Sequence, residues 1–381
     1  MIKHYRFGGS TATRTVNCPA WVNLSKQIPK SNTCSDAAAT GTMLHEVSEQ
    51  CVNDAELDPA SLVGQEIEGV VLTAEHVADK LYPALDVLAD LEEEFDVLFD
   101  TEITMELSDD IGGTADLMAH NTEDNIFIMA DWKFGDGVIV SAQDSQQLLF
   151  YTMLAMKSEQ YDIGEKTRFF GIIIQPTNRR DEVEDRWEFT YDDLMVFIKK
   201  FDASYAISSK KNAPCSSGSW CGWCPAEPVC PQKTGKAQMA LRLPKGSTDL
   251  KVLNQSMAIV DEVESWCKAV KKLAHEQAEQ GVEIENFKLV AKRAIRKWND
   301  VETVTTKLKN MKKLTIPDYM EQKLTTPPKL EKICKQKSVD FTKFDEYISS
   351  ISSGTTLVPA SDKRSAIVSV HAMKNMSALL N

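Results

Sequence analysis

The sequence lacks any apolar run long enough to cross a bilayer. No stretch approaches the about 18 uninterrupted apolar residues that a membrane-spanning helix needs. Residues 1–10 carry Lys3, His4 and Arg6 but no apolar segment behind them, so the start does not read as a secretory signal. Low-complexity tracts and internal repeats are also absent. We therefore expect a cytoplasmic protein that makes no membrane contact.

The chain is neither poor in apolar residues nor dominated by glycine and proline. Apolar residues make up 43% and charged residues 26% of the 381 positions, as in ordinary globular proteins. This length allows two compact domains or one large elaborated domain with a substantial core. A disordered, fibrous or disulfide-dependent miniature fold is excluded.

Charge is unevenly distributed along the chain. Residues 1–230 hold 17 Lys/Arg and 39 Asp/Glu, a net charge of −22, whereas residues 231–381 hold 26 and 17, a net charge of +9. The basic tract of the second part includes Arg293, Arg296 and Lys297. Further lysines precede and follow these three residues. This tract is suited to contacts with phosphates, although a solvated helix face would have the same composition.

Hydrophobic periodicity predicts a layered α/β core. The predicted elements are helices over 35–58 and 74–94, strands over 95–106, 113–119 and 125–132, a helix over 141–157, a strand over 167–175 and a helix over 191–208. A segment rich in Cys, Pro, Gly and Trp follows over 212–236, and then a long amphipathic helix over 249–280. We expect one domain over 1–240 and a basic, mainly helical region over 241–381 that contacts DNA or a partner.

Two aspartates mark the predicted strand meander as the chemical centre. Asp116 follows Gly-Gly-Thr-Ala on the second strand, and Asp131 ends the third strand, two residues before Lys133. A hairpin would bring the two carboxylates together, which is costly unless a cation lies between them. The pairing favours Mg²⁺ or Mn²⁺, and Lys133, on the same strand face as Asp131, could stabilise a reacting phosphate. A surface ion pair at a turn is the alternative interpretation.

Asp116 and the Asp131-Trp132-Lys133 run resemble the motif of the PD-(D/E)xK nuclease superfamily. His45, in Gly41-Thr-Met-Leu-His45, is similar to the metal-binding histidine of its RecB-type branch. The resemblance implies a restriction-endonuclease-like core in which His45, Asp116, Asp131 and the Trp132 carbonyl hold the metal. It implies that Lys133 supports attack on phosphorus.

A helical pair extends this resemblance. Gln147 and Tyr151 match the Gln-x-x-x-Tyr signature of the same branch, and residues at i and i+4 share one helix face. Such a pair could hold Lys133 or a DNA phosphate, and Tyr151 could equally be a packing residue. Glu102, on the preceding strand, is a further acidic candidate.

The cysteine pattern indicates a metal site rather than a disulfide framework. Cys221 and Cys224 form a Cys-x2-Cys pair, which supplies half of a tetrahedral site, and Cys230 follows closely. The fourth ligand is either Cys215, near in sequence, or Cys18, about two hundred residues away. Cys215 would favour a zinc ribbon.

The same segment resembles the iron-sulfur staple of the AddB and CRISPR-adaptation exonucleases. That resemblance implies a 4Fe-4S cluster on Cys18, Cys221, Cys224 and Cys230, with Cys215 as a spare thiol and Zn²⁺ as the alternative metal. The staple would tie the start of the chain to the end of the nuclease core.

Nearly the full chain is similar to RecB-type nucleases of phages and prophages. This resemblance implies a metal-dependent DNA exonuclease that serves phage recombination or DNA processing in a bacterial host cytoplasm. A phage recombinase or a single-strand-binding protein would be a partner. The alternative hypothesis is a non-catalytic iron-sulfur protein that binds DNA or a recombination partner on a nuclease scaffold, because the acidity of residues 1–230 does not help to grip a polyanion.

Overall fold

A computed structural model describes residues 5–29, 36–177, 182–243, 248–292, 294–320, 324–351, 354–359 and 361–367. The chain forms two compact units, Met1–Trp266 and Cys267–Asn381. The division falls later than the expected boundary near residue 240, because the middle of the helix Leu250–Glu279 contacts the cysteine segment. Ser265 Oγ donates to Glu227 Oε1 at 2.5 Å, and Trp266 Nε1 donates to the Pro228 carbonyl at 3.1 Å.

The first unit contains helices on both sides of a central sheet. Its helices are α1 (Gly9–Asn17), α2 (Trp21–Ser25), α3 (Asp36–Asn53), α4 (Ala74–His76), α5 (Tyr82–Phe95), α6 (Gln146–Lys157), α7 (Tyr191–Ser208), α8 (Pro231–Arg242) and the first part of α9 (Leu250–Glu279). Caps fix two of the starts. The Ser145 side chain accepts from Leu148 N–H before α6, and Thr190 and Asp193 form a reciprocal capping box at α7.

The central sheet is mixed and has five strands. A short hairpin of β1 (Glu66–Ile67) and β2 (Val70–Val71) precedes the sheet strands β3 (Asp100–Ser108), β4 (Ile111–Asn121), β5 (Ile126–Trp132), β6 (Arg168–Ile174) and β7 (Glu184–Phe189). The spatial order is β3-β4-β5-β6-β7, with β5 and β6 parallel and the other neighbours antiparallel. The predicted α/β class is confirmed, including the three-strand meander and the helix that leads to the parallel strand.

Side chains alternate across β5 into two separate cores. Phe127 and Met129 enter a core with α1, α6 and α7, whereas Ile128 and Ala130 enter a core with α3 and α5. Every residue of β5 is buried, as expected for a strand that is covered on both faces. The β4–β5 hairpin is therefore held rigidly at the centre of a three-layer α/β/α arrangement.

The second unit contains more β structure than the sequence predicted. Its elements are β8 (Phe287–Ala291), β9 (Ile295–Trp298), α10 (Val301–Lys309), α11 (Ile316–Tyr319), α12 (Pro327–Gln336), β10 (Ile348–Ile351) and β11 (Thr355–Pro359). β8 pairs with β11 and β9 with β10, both antiparallel. A small core includes Leu308, Leu330 and Phe344. In the described parts of the chain, no helix is both long and apolar enough to span a membrane.

Truncating a buried leucine in the first unit should cost far more stability than truncating an exposed one. Leu91 on α5 is 1% exposed, whereas Leu98, in the loop after α5, is 83% exposed. We expect Leu91→Ala to lower the free energy of unfolding by about 2–5 kcal/mol, because it removes buried methyl groups and leaves a cavity. Urea denaturation measures this effect. Leu98→Ala is the control, and equal losses in the two variants would contradict the packing described.

Candidate active site and cysteine cavity

The β4–β5 hairpin brings Asp116 and Asp131 to the same end of the sheet. Leu117 pairs with Ala130 in the antiparallel register. Asp116 and Asp131 occupy the next position along the two strands, so they lie opposite each other. Asp116 Oδ2 accepts a hydrogen bond from the Trp132 N–H at 2.9 Å. The backbone of one strand therefore fixes the carboxylate of the other.

Asp131 is held by Lys133, which follows the same strand, and by Gln147, which contacts this carboxylate rather than Lys133. Lys133 Nζ forms an ion pair with Asp131 Oδ2, and Gln147 Nε2 on α6 donates to Asp131 Oδ1 at 2.5 Å. Asp131 is only 2% exposed, whereas the Lys133 side chain remains 27% exposed. Lys133 can thus contact both a buried carboxylate and a molecule that arrives from solvent.

His45 and Glu102 complete a set of metal-type ligand atoms around Asp116. One ligand atom each from His45, Glu102 and Asp116 lies within 4.8 Å of the other two. His45 Nδ1 is 3.6 Å from Asp116 Oδ2, and its ring packs edge-on against Phe134. An imidazole with two carboxylates suits Mn²⁺ and, through its oxygens, Mg²⁺, so these residues fit the expected metal.

The pKa shifts at this site indicate an excess of buried negative charge, which a bound cation would compensate. Burial, followed by the charge of Asp131, raises the pKa of Asp116 well above its usual range. Burial lowers the pKa of His45 to about 4, so its ring is neutral and free to bind a metal at neutral pH. Burial works against the Lys133 ammonium, but the charges of Asp131 and Asp116 outweigh it and raise the pKa of Lys133.

Glu102 reaches the site through an irregularity in β3. Its φ of +48° lies in the left-handed region, which is rare for a residue other than glycine. The regular pairs on either side are Thr101 with Leu117 and Ile103 with Ala115, so Glu102 faces the Asp116 position without pairing to it. Burial, and then Glu49 and Glu46, raise the pKa of Glu102. The sequence indicated Glu102 only by its place on the preceding strand.

Tyr151 lies near the carboxylates but does not hold Lys133. It is 8% exposed and follows Gln147 by one turn of α6. Burial, together with the charges of Asp131, Asp116 and Glu102, raises its pKa, so the phenol stays protonated and able to donate. Of the predicted pair, Gln147 contacts Asp131, whereas Tyr151 packs against Gly9 and Gly113.

Five cysteines gather around a cavity at the end of α1. Cys18, Cys221, Cys224 and Cys230 line this cavity, although Cys18 is two hundred residues away in sequence. Cys215 lies beside them, with its Sγ 3.7 Å from Cys230 Sγ. None of the cysteines that the structure describes forms a disulfide.

Two buried cations that the sequence did not single out also line the cysteine cavity. Arg14 Nη1 donates to the Trp223 carbonyl at 2.6 Å, while its buried Nε has no hydrogen-bond partner among the described residues. Lys233 is 4% exposed and lies 3.6 Å from both Glu227 and Glu262. Thiolates bound to a metal carry net negative charge, so a cysteine-ligated cluster or zinc ion fits a cavity with these donors.

The structure describes two of the three predicted DNA-binding residues, Arg296 and Lys297. Arg293 lies outside the described residues, and Lys297 is on β9, where its backbone pairs with Ser349. Arg296 forms an ion pair with Glu331 and packs over Phe341. DNA binding by these residues remains a prediction.

Trp298 belongs to the core of the second unit. Its ring packs against Phe341 and Phe344, and its Nε1 donates to the Thr325 carbonyl at 2.8 Å. This Trp is accordingly a packing residue rather than a platform for a nucleobase.

Comparison with known proteins adds a family and one distant structure. The profile of a family described as "Protein of unknown function (DUF2800)" matches residues 4–365. The solved structure titled "Crystal structure of SSO0001" is similar at 15% sequence identity, over 57% of this chain and 96% of that chain, with a TM-score of 0.23. A similarity this distant carries no argument about fold or activity.

Removing ligands from the site should weaken binding of a divalent metal. We expect His45→Ala and Glu102→Gln each to reduce Mn²⁺ affinity by about 10- to 100-fold, in the range seen when groups around a metal are lost. The electron paramagnetic resonance signal of free Mn²⁺ measures the affinity. His120→Ala is the control, because that ring packs against Phe127 and Tyr161 instead. Unchanged affinity in both ligand variants would show that these residues do not hold the metal.

Proposed function

We propose that this chain, which belongs to a family of proteins of unknown function (DUF2800), is a divalent-metal-dependent deoxyribonuclease. The observation that carries the proposal is the convergence of His45, Glu102 and Asp116 with the Asp131–Lys133 pair at one end of the sheet. The order of helix, three antiparallel strands, helix and parallel strand supports the PD-(D/E)xK core that the motifs resemble. Exonuclease action in phage recombination or DNA processing is part of the same proposal.

The residues divide the work of phosphodiester hydrolysis. A bound Mg²⁺ or Mn²⁺ would supply Lewis-acid chemistry and lower the pKa of water. His45, Asp116 and Glu102 would provide the ligands, and the Trp132 N–H keeps Asp116 in place. Of the other expected ligands, Asp131 is paired with Lys133 and Gln147, and ligation by Asp131 and by the Trp132 carbonyl stays a prediction. Gln147 fixes Asp131, and Asp131 in turn holds Lys133, whose partly exposed side chain can stabilise the negative charge that develops on the phosphate.

The proposal assigns a structural role to the cysteine cavity. Cys18, Cys221, Cys224 and Cys230 would hold a 4Fe-4S cluster, or Zn²⁺ in the alternative, and Cys215 would stand beside the set. Cys18 ends α1, and the other three follow α7, so a shared metal would tie the start of the first unit to its end. Because such a site rarely exists in the unfolded chain, the free energy of metal binding would add to the stability of the folded unit.

Replacing Lys133 should abolish cleavage while leaving the fold intact. We expect Lys133→Ala to lower kcat by about 10²–10³, the usual cost of removing one charge-stabilising donor. Release of nucleotides from end-labelled single- and double-stranded DNA, with Mn²⁺ and with a chelator, measures this. Lys157→Ala is the matched control, because Lys157 pairs with Asp202 at the protein surface. Cleavage by Lys133→Ala at the unaltered rate would refute the mechanism, and metal-independent DNA binding without cleavage would favour the non-catalytic alternative.

Replacing a cluster ligand should remove the metal from the cysteine cavity. We expect Cys18→Ser to lose iron and the brown colour of the anaerobically purified protein, because a thiolate is exchanged for a weak oxygen ligand. Iron, sulfide and zinc analysis with visible absorption spectroscopy measures the outcome. Cys51→Ser, in the separate core with α3, is the control. A colourless wild-type protein that contains zinc would establish the alternative metal.

A further inference from the structure

Arg14 on α1 is a buried cation that no acidic side chain of the described residues neutralises. The residue is 8% exposed, and its Nη1 donates to the Trp223 carbonyl at 2.6 Å. Its guanidinium carbon lies 4.9 Å from the centroid of the Trp21 ring. Its Nε is buried and has no hydrogen-bond partner in the described parts of the chain. A buried charge without a counter-charge is costly, so a negative group is expected beside it.

The cavity beside Arg14 is the one that the cysteines line. Arg14 shares its wall with Cys18, Cys221, Cys224 and Cys230. Burial raises the pKa of the Cys224 thiol, whereas the Ala226 N–H and the charge of Arg14 act in the opposite direction. Arg14 is therefore close enough to this sulfur to stabilise its negative charge. Binding of a metal deprotonates a cysteine, so a metal in the cavity would give Arg14 the counter-charge that the protein groups do not provide.

Lys233, the other buried cation of this cavity, is already neutralised by protein groups. Its Nζ lies 3.6 Å from Glu227 Oε1 and 3.6 Å from Glu262 Oε2. Glu262 also forms an ion pair with Lys236, so two carboxylates compensate two lysines. The charge of Arg14, in contrast, remains available to a negative group that occupies the cavity.

We propose that Arg14 is the counter-charge of the cluster in the cysteine cavity and that it raises the reduction potential of this cluster. The inference rests on the proposed 4Fe-4S cluster and deepens it by giving a role to a residue that is not a ligand. The potential of an iron-sulfur cluster depends on its net charge, on hydrogen bonds to its sulfur atoms and on its exposure to solvent. The reduced cluster carries one more negative charge than the oxidised cluster. A fixed positive charge beside Cys224 therefore favours the reduced state, and Arg14 acts as a positioning residue through that ligand.

A redox titration of the full chain, purified without oxygen, tests the role of Arg14. The cluster is titrated with dithionite in the presence of redox mediators and followed by visible absorption and electron paramagnetic resonance. Arg14→Gln removes the charge but keeps a side chain that can donate to the Trp223 carbonyl. We expect this variant to shift the ratio of reduced to oxidised cluster about tenfold toward the oxidised form, which lowers the potential of a one-electron couple by about 59 mV. Arg14→Lys keeps the charge and should recover most of this shift.

A matched arginine separates the effect of charge at the cavity from a general effect of losing an arginine. Arg168 also lies over an aromatic ring, that of Phe170, but it pairs with Glu188 at the protein surface. Arg168→Gln should therefore leave the potential unchanged. The same potential in the wild type and Arg14→Gln, or equal shifts in Arg14→Gln and Arg14→Lys, would overturn the inference.

Iron content decides the case in which Arg14→Gln does not retain the cluster. Iron retained by Arg14→Lys but lost by Arg14→Gln would support a role of the charge, and loss from both variants would contradict it. The outcome is separable from DNA cleavage. A shifted potential in a protein that does not cleave DNA would leave the role of Arg14 standing and refute the nuclease. Zinc instead of iron in the wild type would overturn the inference, whereas cleavage would still be judged by Lys133→Ala.

Discussion

The mutual repulsion of Asp116 and Asp131 is the constraint around which the first unit is organised. The β4–β5 hairpin forces these carboxylates together in a buried position, and burial makes each charge harder to sustain. Lys133 and Gln147 contact Asp131 directly, whereas Asp116 accepts from the Trp132 N–H, lies beside the neutral His45 ring and is stabilised by Lys133 through its charge alone. The protein groups thus satisfy one aspartate and leave the other with a deficit of positive charge. This asymmetry supports the proposed cation beside Asp116, His45 and Glu102.

The central elements could be predicted because their signals are local. β5 is a continuous apolar run between turn residues, and the helical period of α6 begins after a serine cap. The charged edge strand β7 and the polar helix α1 lack such signals, since Glu184–Phe189 and Gly9–Asn17 contain few apolar residues. Both are stabilised by tertiary packing, on β6 in one case and on α6 and α7 in the other.

The residues of the candidate sites could also be predicted only where the signal in the sequence is local. Asp131 and Lys133 are two residues apart on one strand, so their common face follows from the strand period alone. Glu102 needs a left-handed backbone within β3 to reach Asp116, and no pattern in the sequence specifies that conformation. Arg14 and Lys233 are more than two hundred residues apart and meet only through the folded cysteine segment. Residue types signal chemistry, but only the fold decides which of them share a cavity.

Net charge is a poor guide to what the first unit can bind. Residues 1–230 carry a charge of −22, yet the acidic residues closest to the active site are partly neutralised by Lys133 or raised in pKa. Lys133 pairs with the buried Asp131 and keeps 27% of its side chain exposed, so a positive charge is presented at the candidate site itself. A charge within a few ångströms of a bound group is little screened by salt, whereas surface charges more than about 8–10 Å away are largely screened. An acidic domain with this lysine and a bound cation would therefore be able to hold a phosphate chain that its overall charge would repel, which is consistent with the proposed function.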